Sequence, residues 1–538
     1  MKRIISALCA LAALSASAQE TYQNATLITE DLNGTARYVG MGGAMEALGA
    51  DISTISTNPA GIGLFRSSSV STSFGFTSQS NTRSFSHGDR TNISFDQIGI
   101  VYSMRTGKKS FLNIAFNYHK SRNFNQILSA ANTLGSGSQN IISYARGIAT
   151  GQLGSASYTN SNGDIVYEPT FSGSYPAYYS QLDELYNQAV NFDYTDGNYY
   201  SYAAEDFSFN RAATGYIGEY DFNVSGNIND RVYLGLTVGI HDVHYKAYTE
   251  YTEGLVNSAG TSLGDVTLTD RRKITGTGID IKAGIIFRPI EDSPFRIGLS
   301  VASPVFYDLT TENRTRLDNG SDVGSYDYSS ISNAYDFELY TPWKFGLSLG
   351  HTINNNIALG ASYEFADYGS TDTRVKDGGY YDWYYGDYYD SSSDHAMNNH
   401  TEDNLKAVST LKLGAEYKPL PELALRIGYN YVSPTYKSSA MKCYKDELLE
   451  SYGTAYESTT DYTNWKSTNR FTLGVGFTYG KLNIDAAYQY SVTNGDFYPF
   501  QKEFKLSDSS GVIEESYCNS TDVKYARHQV LITLGYKL

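Results

Sequence analysis

No interior stretch of about 18 apolar residues occurs in this sequence, so no segment is long enough to cross a membrane as a helix. Mean hydropathy is -0.38, too polar for a helical membrane protein. Basic residues are outnumbered, with 41 Lys and Arg against 57 Asp and Glu and a formal charge of -16. That balance argues against nucleic acid, whose phosphates demand a basic surface. A blade-length repeat of about 40–50 residues is missing, so a propeller is not indicated. No Ser/His/Asp set and no paired-carboxylate site stands out, and the chain is read as no enzyme, with no cofactor and no metal. Cysteine is scarce too: Cys9 falls in an apolar leader, which leaves Cys443 and Cys518 for the mature chain. Both lie in long connections, where an oxidising envelope allows either a disulfide between them or two unpaired thiols.

Tyr and Gly, by contrast, are abundant at 49 each, and they are arranged with a period of two. In the final stretch, Gln529 to Leu538, the residues Val530, Ile532, Leu534, Tyr536 and Leu538 share one parity. A strand sends alternate side chains to opposite faces, so this segment has an apolar face and a mostly small or polar one. The same alternation runs through Leu112–Tyr118, Leu234–Ile240, Ile281–Phe287, Leu425–Tyr431, Phe471–Tyr479 and Leu482–Tyr490. About fourteen such strands can be counted. The connections between them alternate between short ones, such as 227–230 and 479–481, and long ones near 81–91, 254–269, 314–335, 375–402, 438–465 and 497–521. Short periplasmic turns against long extracellular loops, with an even strand count, are the signature of an antiparallel outer-membrane β-barrel. The expected location is therefore the bacterial outer membrane, in contact with its lipid and lipopolysaccharide. The C-terminal strand is expected to engage the barrel-assembly machinery.

The remaining segments have other characters. Lys2, Arg3, the apolar run Ile4–Leu14 and Ala16-Ser17-Ala18 read as a signal peptide over 1–18. Residues 19–66 do not alternate and are too few for a core of their own, so they must pack on something. Within them Asn58-Pro59-Ala60 suits a fixed turn, since Pro59 fixes φ and Asn58 can tie down the backbone. Gly40, Gly42 and Gly43 follow no strand and sit in no βαβ unit, so they suit close packing against the wall, not a dinucleotide. Residues 67–538 then form the barrel, with a long insertion at 125–205. In the insertion Leu182, Leu185, Tyr186 and Ala189 have helical spacing. The inward parity of Glu219, Asp280, Lys282, Arg288, Arg426 and Asp485 suits either a polar route or, more often, charge pairs across the wall that stiffen the barrel. His241 and His244 have opposite parity, and His395 and His400 read as part of a solvated acidic loop.

Laid out this way, the chain resembles the FadL/OmpP1/TodX family of outer-membrane transporters for hydrophobic compounds. The likeness is carried by Gly40-Met-Gly-Gly-Ala44, Asp51, Ser56-Thr-Asn-Pro-Ala-Gly61, Tyr340-Thr-Pro-Trp-Lys-Phe-Gly346, Tyr363–Tyr368, Leu425–Tyr431, Ser433-Pro434 and Asn469–Gly474. It departs in its long 125–205 insertion and in ending on Leu538 where Phe is usual. The resemblance implies an N-terminal hatch plugging the lumen, with Gly40, Gly42, Gly43, Asn58, Pro59 and Ala60 as gating elements. It also implies passive uptake of hydrophobic small molecules such as long-chain fatty acids through an apolar pocket, with lateral opening of the wall in some members. The rival readings are a surface binding or adhesion barrel displaying Tyr/Asp-rich loops, and haem or porphyrin uptake.

Overall fold

A computed structural model of the chain describes residues 20–538 except 87, 171–178, 292, 325–327, 355, 383–385, 444–455 and 509–510. The expected leader at 1–18 lies outside the described residues, as does part of the Asp- and Tyr-rich loop. Fourteen antiparallel wall strands close on themselves. In order they are Ser69–Gln79, Thr91–Arg105, Phe111–Asn123, Ala203–Ile228, Val232–Val256, Ser262–Phe287, the pair Arg296–Ala302 and Phe306–Ser321, the pair Tyr328–Tyr340 and Lys344–Ile353, Ile357–Asp367 with Asp372–Asp382, Ala407–Leu420, Leu423–Val432, Tyr462–Tyr479, Leu482–Tyr498 and Thr521–Lys537. Closure is made by the first and last, which pair from Ser69 opposite Lys537 to Gln79 opposite Arg527.

Outward positions carry the apolar residues of the alternating pattern. Phe74, Ile100, Leu236, Ile281, Leu347, Ile427, Leu473 and Ile532 are each exposed on the wall. A soluble sandwich would bury such rows against a second sheet; here they form an outward band, as a bilayer requires. The periplasmic turns are tight. Asn229 and Asp230 both adopt left-handed backbone (φ 52° and 55°), the conformation that suits a hairpin to the twist of its strands.

Several connections read as long loops are not loops. The strands around 254–269 continue as a ladder to Val256 and from Ser262, and 314–335 is mostly strand as well. Their polar composition hides the pattern, because above the membrane neither face needs to be apolar. The 125–205 insertion is folded. It continues the third wall strand as Gln126–Thr133 and then forms two helices, Gln139–Thr150 and Gln181–Tyr186. Leu182, Leu185, Tyr186 and Ala189 are all buried, as helical spacing requires, in a cluster with Phe207, Tyr251, Phe497 and Phe500.

Two features interrupt the wall. Pro304 and Pro342 lack donors, and the seventh and eighth strands break beside them; there Val305 donates its N–H to Thr341 Oγ1 at 2.8 Å. The second and third strands pair only from Gln97 opposite His119 to Arg105 opposite Phe111. Above that level no ladder joins them among the described residues. A side chain bridges the seam instead, Lys120 Nζ donating to Ser94 Oγ at 2.7 Å, and past the second strand the Gln79 amide of the first bonds both the N–H and the carbonyl of Ile127.

Candidate ligand cavity and hatch

Residues 20–65 lie inside the barrel. They comprise α1 (Thr21–Ile28), α2 (Ala36–Gly40), and 3-10 turns at Ile52–Ile55 and Pro59–Leu64. With those two named, the insertion helices are α3 (Gln139–Thr150) and α4 (Gln181–Tyr186), and α5 (His395–Asn404) interrupts the chain before the tenth wall strand. Asn58 caps the second 3-10 turn by accepting from Ala60 N at 3.2 Å, and Pro59 occupies its first position, where no donor is needed. Ser225 Oγ donates to the Pro59 carbonyl at 2.8 Å, which fastens this turn to the fourth wall strand.

Small residues meet small residues along the hatch. Gly42 and Gly43 have positive φ (64° and 82°), and a Cβ on Gly42 would stand 2.8 Å from Tyr429 N. Gly40 lies against Gly474, Met41 against Gly414, Ala44 against Gly360, Ala47 against Gly350, Pro59 against Gly235, and Gly63 against Gly226. The close packing expected of Gly40 and Gly42 is thus matched by wall glycines, of which Gly474, Gly428, Gly414, Gly360, Gly350 and Gly235 have the parity opposite to the lipid-facing residues, while Gly43 packs against Leu32, Tyr38 and Lys412.

Charge pairs, most of them buried, add to this packing. Asp31 is held by Arg527 at 3.3 Å, Arg122 at 3.4 Å and Arg470 at 3.9 Å, from three different wall strands. Glu30 pairs with Lys344, and Glu46 with Lys412 at 2.9 Å. Arg37 pairs with Glu416 at 3.2 Å, and Glu416 also takes Arg426 at 2.7 Å. Arg426 reaches Asp485 at 2.6 Å, and Lys282 pairs with Glu219, Asp280 at 2.9 Å and Asp221 at 3.4 Å. Arg288 differs from the rest, since its guanidinium bonds backbone carbonyls of Asp230, Glu291 and Ser293 at a periplasmic turn.

Sequence reading missed two parts of this interior. His119, Glu219 and Asp221 bring donor atoms within 4.8 Å of one another, a geometry that could hold a metal ion. Lys282 fills the position a cation would take among those carboxylates. The cluster is assembled from separate strands by register, so no local spacing announces it. The second part is α1, whose residues line the cavity above the charged layer.

That cavity has a volume of about 110 Å³. Tyr22 and Leu27 of α1 face Phe124, Tyr245, Tyr436, Tyr462, Trp465 and Tyr525 across it. Tyr22 stacks on Tyr436 with centroids 4.9 Å apart and touches Tyr462 at 5.1 Å. Its hydroxyl donates to Asn464 Oδ1 at 2.8 Å. Four arginines also line the space, and each has an acid beside it: Arg122 and Arg527 share Asp31, Arg211 has Asp461, and Arg272 has Asp270 at 3.9 Å. The cavity therefore offers aromatic faces and compensated charge.

The roof of α1 departs from expectation. His395 is exposed, but His400 is buried, and its Nδ1 lies 2.9 Å from Thr21 Oγ1. It belongs to α5, past the end of the apolar band, and not to a solvated loop. Burial pushes its imidazole pKa down from 6.5 to about 4. The unfolded chain then takes up the proton first, so the stability His400 confers is complete above about pH 6.5 and is lost as pH falls towards 4. The protection factors of the α1 amides, corrected for intrinsic exchange, are expected to fall over that window, and His400→Gln to flatten the response. Equal slopes in both proteins would contradict the assignment.

The disulfide left open by the sequence is not made: Cys443 and Cys518 are both free. Each sulfur has its own environment. Arg146 Nη2 approaches Cys443 Sγ at 3.4 Å, while Cys518 Sγ is 3.6 Å from the Phe500 carbonyl.

No protein-family model matches the sequence, and no curated protein does. Among solved structures, a Pseudomonas aeruginosa FadL homologue aligns over 94% of this chain and 99% of its own, with 12% identity and a TM-score of 0.47. The Ralstonia pickettii toluene transporter TbuX aligns over 94% and 99% with 13% identity and a TM-score of 0.46. The P. putida toluene transporter TodX aligns over 94% and 99% with 11% identity and a TM-score of 0.43. On the closure of its own strands, its outward apolar band and its filled lumen, the chain is a fourteen-stranded outer-membrane β-barrel with an N-terminal hatch.

Proposed function

We propose that this barrel is a passive channel for hydrophobic small molecules, entered from the extracellular side and gated by the hatch. The observation that carries the reading is the aromatic cavity between α1 and the upper wall. Apolar surface removed from water there supplies about 25 cal/mol per Å², and compensated arginines add no net charge to repel a neutral guest. A dry cavity of about 150 Å³ holds benzene, so at about 110 Å³ this one takes a single ring with a small shift of its lining. A long-chain fatty acid requires α1 to move aside.

Below the cavity lies the layer of buried ion pairs, through which an apolar molecule has no cheap path. The seam between the second and third wall strands opens beside the cavity residues Asn123 and Phe124, and it supplies a lateral exit into the membrane. Gly40, Gly42, Gly43, Asn58, Pro59 and Ala60 hold the hatch closed in this reading, and α1 carries ligand occupancy down to them through Glu30 and Asp31.

The test is native mass spectrometry of the full chain in mild detergent with toluene and with laurate as probes. We expect toluene to be retained at one per barrel. Tyr22→Ala removes a buried ring that docks α1 of the hatch and not a wall contact, so it should abolish retention while the wall strands keep their heat-modifiable form. A chain that ignores both probes, with Tyr22→Ala unchanged, would favour the surface-display reading.

A further inference from the structure

The outer face of the wall carries a second site that faces neither lumen nor hydrocarbon. On the fifth, sixth and seventh wall strands the apolar band ends at Ile240, Ile279 and Phe306. Continuing outward along the same parity, the sixth position after Ile240 is Lys246. It stands directly opposite Lys273, and Lys273 stands opposite Glu312. The next row sets Arg271 opposite Arg314. A groove of about 640 Å³ runs over these residues, bounded by Thr214 on one side and Ser332 on the other.

Two like-charged pairs facing each other across adjacent strands are unfavourable by themselves. Among the described residues lining the groove, the one carboxylate, Glu312, is taken by Lys273 at 2.9 Å. Arg271 rests over the Tyr248 ring at 5.5 Å. Among the described residues, Lys246, Arg271 and Arg314 have no carboxylate within salt-bridge reach. The four outward cations and one acid leave a local charge of +3, the inward Arg272 being paired with Asp270, on a chain whose total is -16. Elsewhere on this face the cations are matched: Arg316 with Asp318, Lys376 with Asp308 at 2.5 Å, and Arg374 with Asp372 at 3.0 Å.

We infer that this groove binds the phosphorylated sugar headgroup of an outer-leaflet glycolipid. Six residues of strand rise about 20 Å, or about 15 Å along a barrel axis when tilted, so the cations stand beyond the acyl chains and reach back on their flexible stems to the sugar-phosphate layer. Guanidinium groups take phosphate oxygens by paired charge-assisted hydrogen bonds, which suits Arg271 and Arg314 facing one another. A bound phosphate relieves both like-charge oppositions. It also does for the glycolipid what a divalent cation does between neighbouring headgroups, so the barrel is seated in its leaflet by a specific contact in addition to its apolar band.

The experiment uses the full-length protein in detergent micelles containing lipid A with both phosphates, or the same lipid A dephosphorylated, read by native mass spectrometry. The wild type should retain the phosphorylated form roughly tenfold or more over the dephosphorylated one, as expected for three uncompensated cations. The K246Q/R271Q/R314Q variant should lose that preference, and Glu312→Gln should strengthen it. All four side chains face outward, and a heat-modifiable gel shift confirms that each variant is closed. Equal preference in the triple variant, or none in the wild type, would overturn the site. Displacement of the lipid by inorganic phosphate would overturn the glycolipid as its occupant.

Discussion

Replacing Lys282 with methionine is expected to destabilise the barrel by about 3–5 kcal/mol, the usual cost of stripping one partner from a buried charge set. Lys282 is 6% exposed, and its ammonium contacts Glu219, Asp221 and Asp280. His119 and His241 approach the same carboxylates only at 3.5 Å, a longer contact than the 2.9 Å the ammonium makes with Asp280. The K282M barrel should therefore lose its heat-modifiable form at a markedly lower temperature than the wild type. Combining K282M with E219Q and D280N should restore much of the loss, because fewer anions then lie stranded. Lys282→Arg should retain most of the stability. If K282M melts with the wild type, the cluster is hydrated to an extent that removes its structural role, and the charged layer no longer argues against passage through the lumen.

A second large effect is expected at Gly428. Any Cβ there would overlap Gly42 N and the Met41 carbonyl carbon, both of them backbone atoms. Backbone held on two sides cannot swing away as a flexible side chain can. Overpacking of this kind typically costs about 1–3 kcal/mol and occasionally more, and Gly428→Val adds three carbons where none fit. Either the hatch is displaced or the barrel fails to assemble. Liposome swelling with small sugars should show a leak in whatever fraction assembles, against a sealed wild type. Gly135→Ala, where nothing lies within 4 Å, should remain tight. A sealed, fully stable G428V barrel would show that the hatch is looser than its contacts indicate.

The wall was legible in the sequence because lipid imposes a strict rule: one face apolar, the other not. Leu425, Ile427 and Tyr429 could be assigned outward by parity alone, and the structure places them so. Inward Gly414, Gly428 and Gly474 were visible as small residues, though not as seats for Met41, Gly42 and Gly40, since contacts between distant segments leave no periodic trace. Above the bilayer the rule lapses, which is why ladder residues such as Gly254 and Asp265 passed for loop. His400 was misread for a related reason. Its acidic neighbours Glu402 and Asp403 are exposed, and nothing local reveals that Thr21, nearly four hundred residues away, covers the imidazole. The cavity depends on α1, which carries no motif and acquires its role only from where the wall holds it.

The path of the hatch has a consequence for how the barrel counts its strands. Gly40 touches the twelfth wall strand, Gly42 the eleventh, Ala44 the ninth, Ala47 the eighth, Pro59 the fifth and Gly63 the fourth. The chain thus winds round the interior against the order of synthesis of the wall, meeting one strand after another at a fixed residue. From the twelfth strand to the fourth is eight spacings of about 4.8 Å, and the contour available for them is set by the residues between Gly40 and Gly63. A wall enlarged by one duplicated hairpin would carry later glycines out of step with their partners. The N-terminal segment is therefore a gauge as well as a plug: its length fits one circumference, and a barrel of twelve or sixteen strands would find no seat for it.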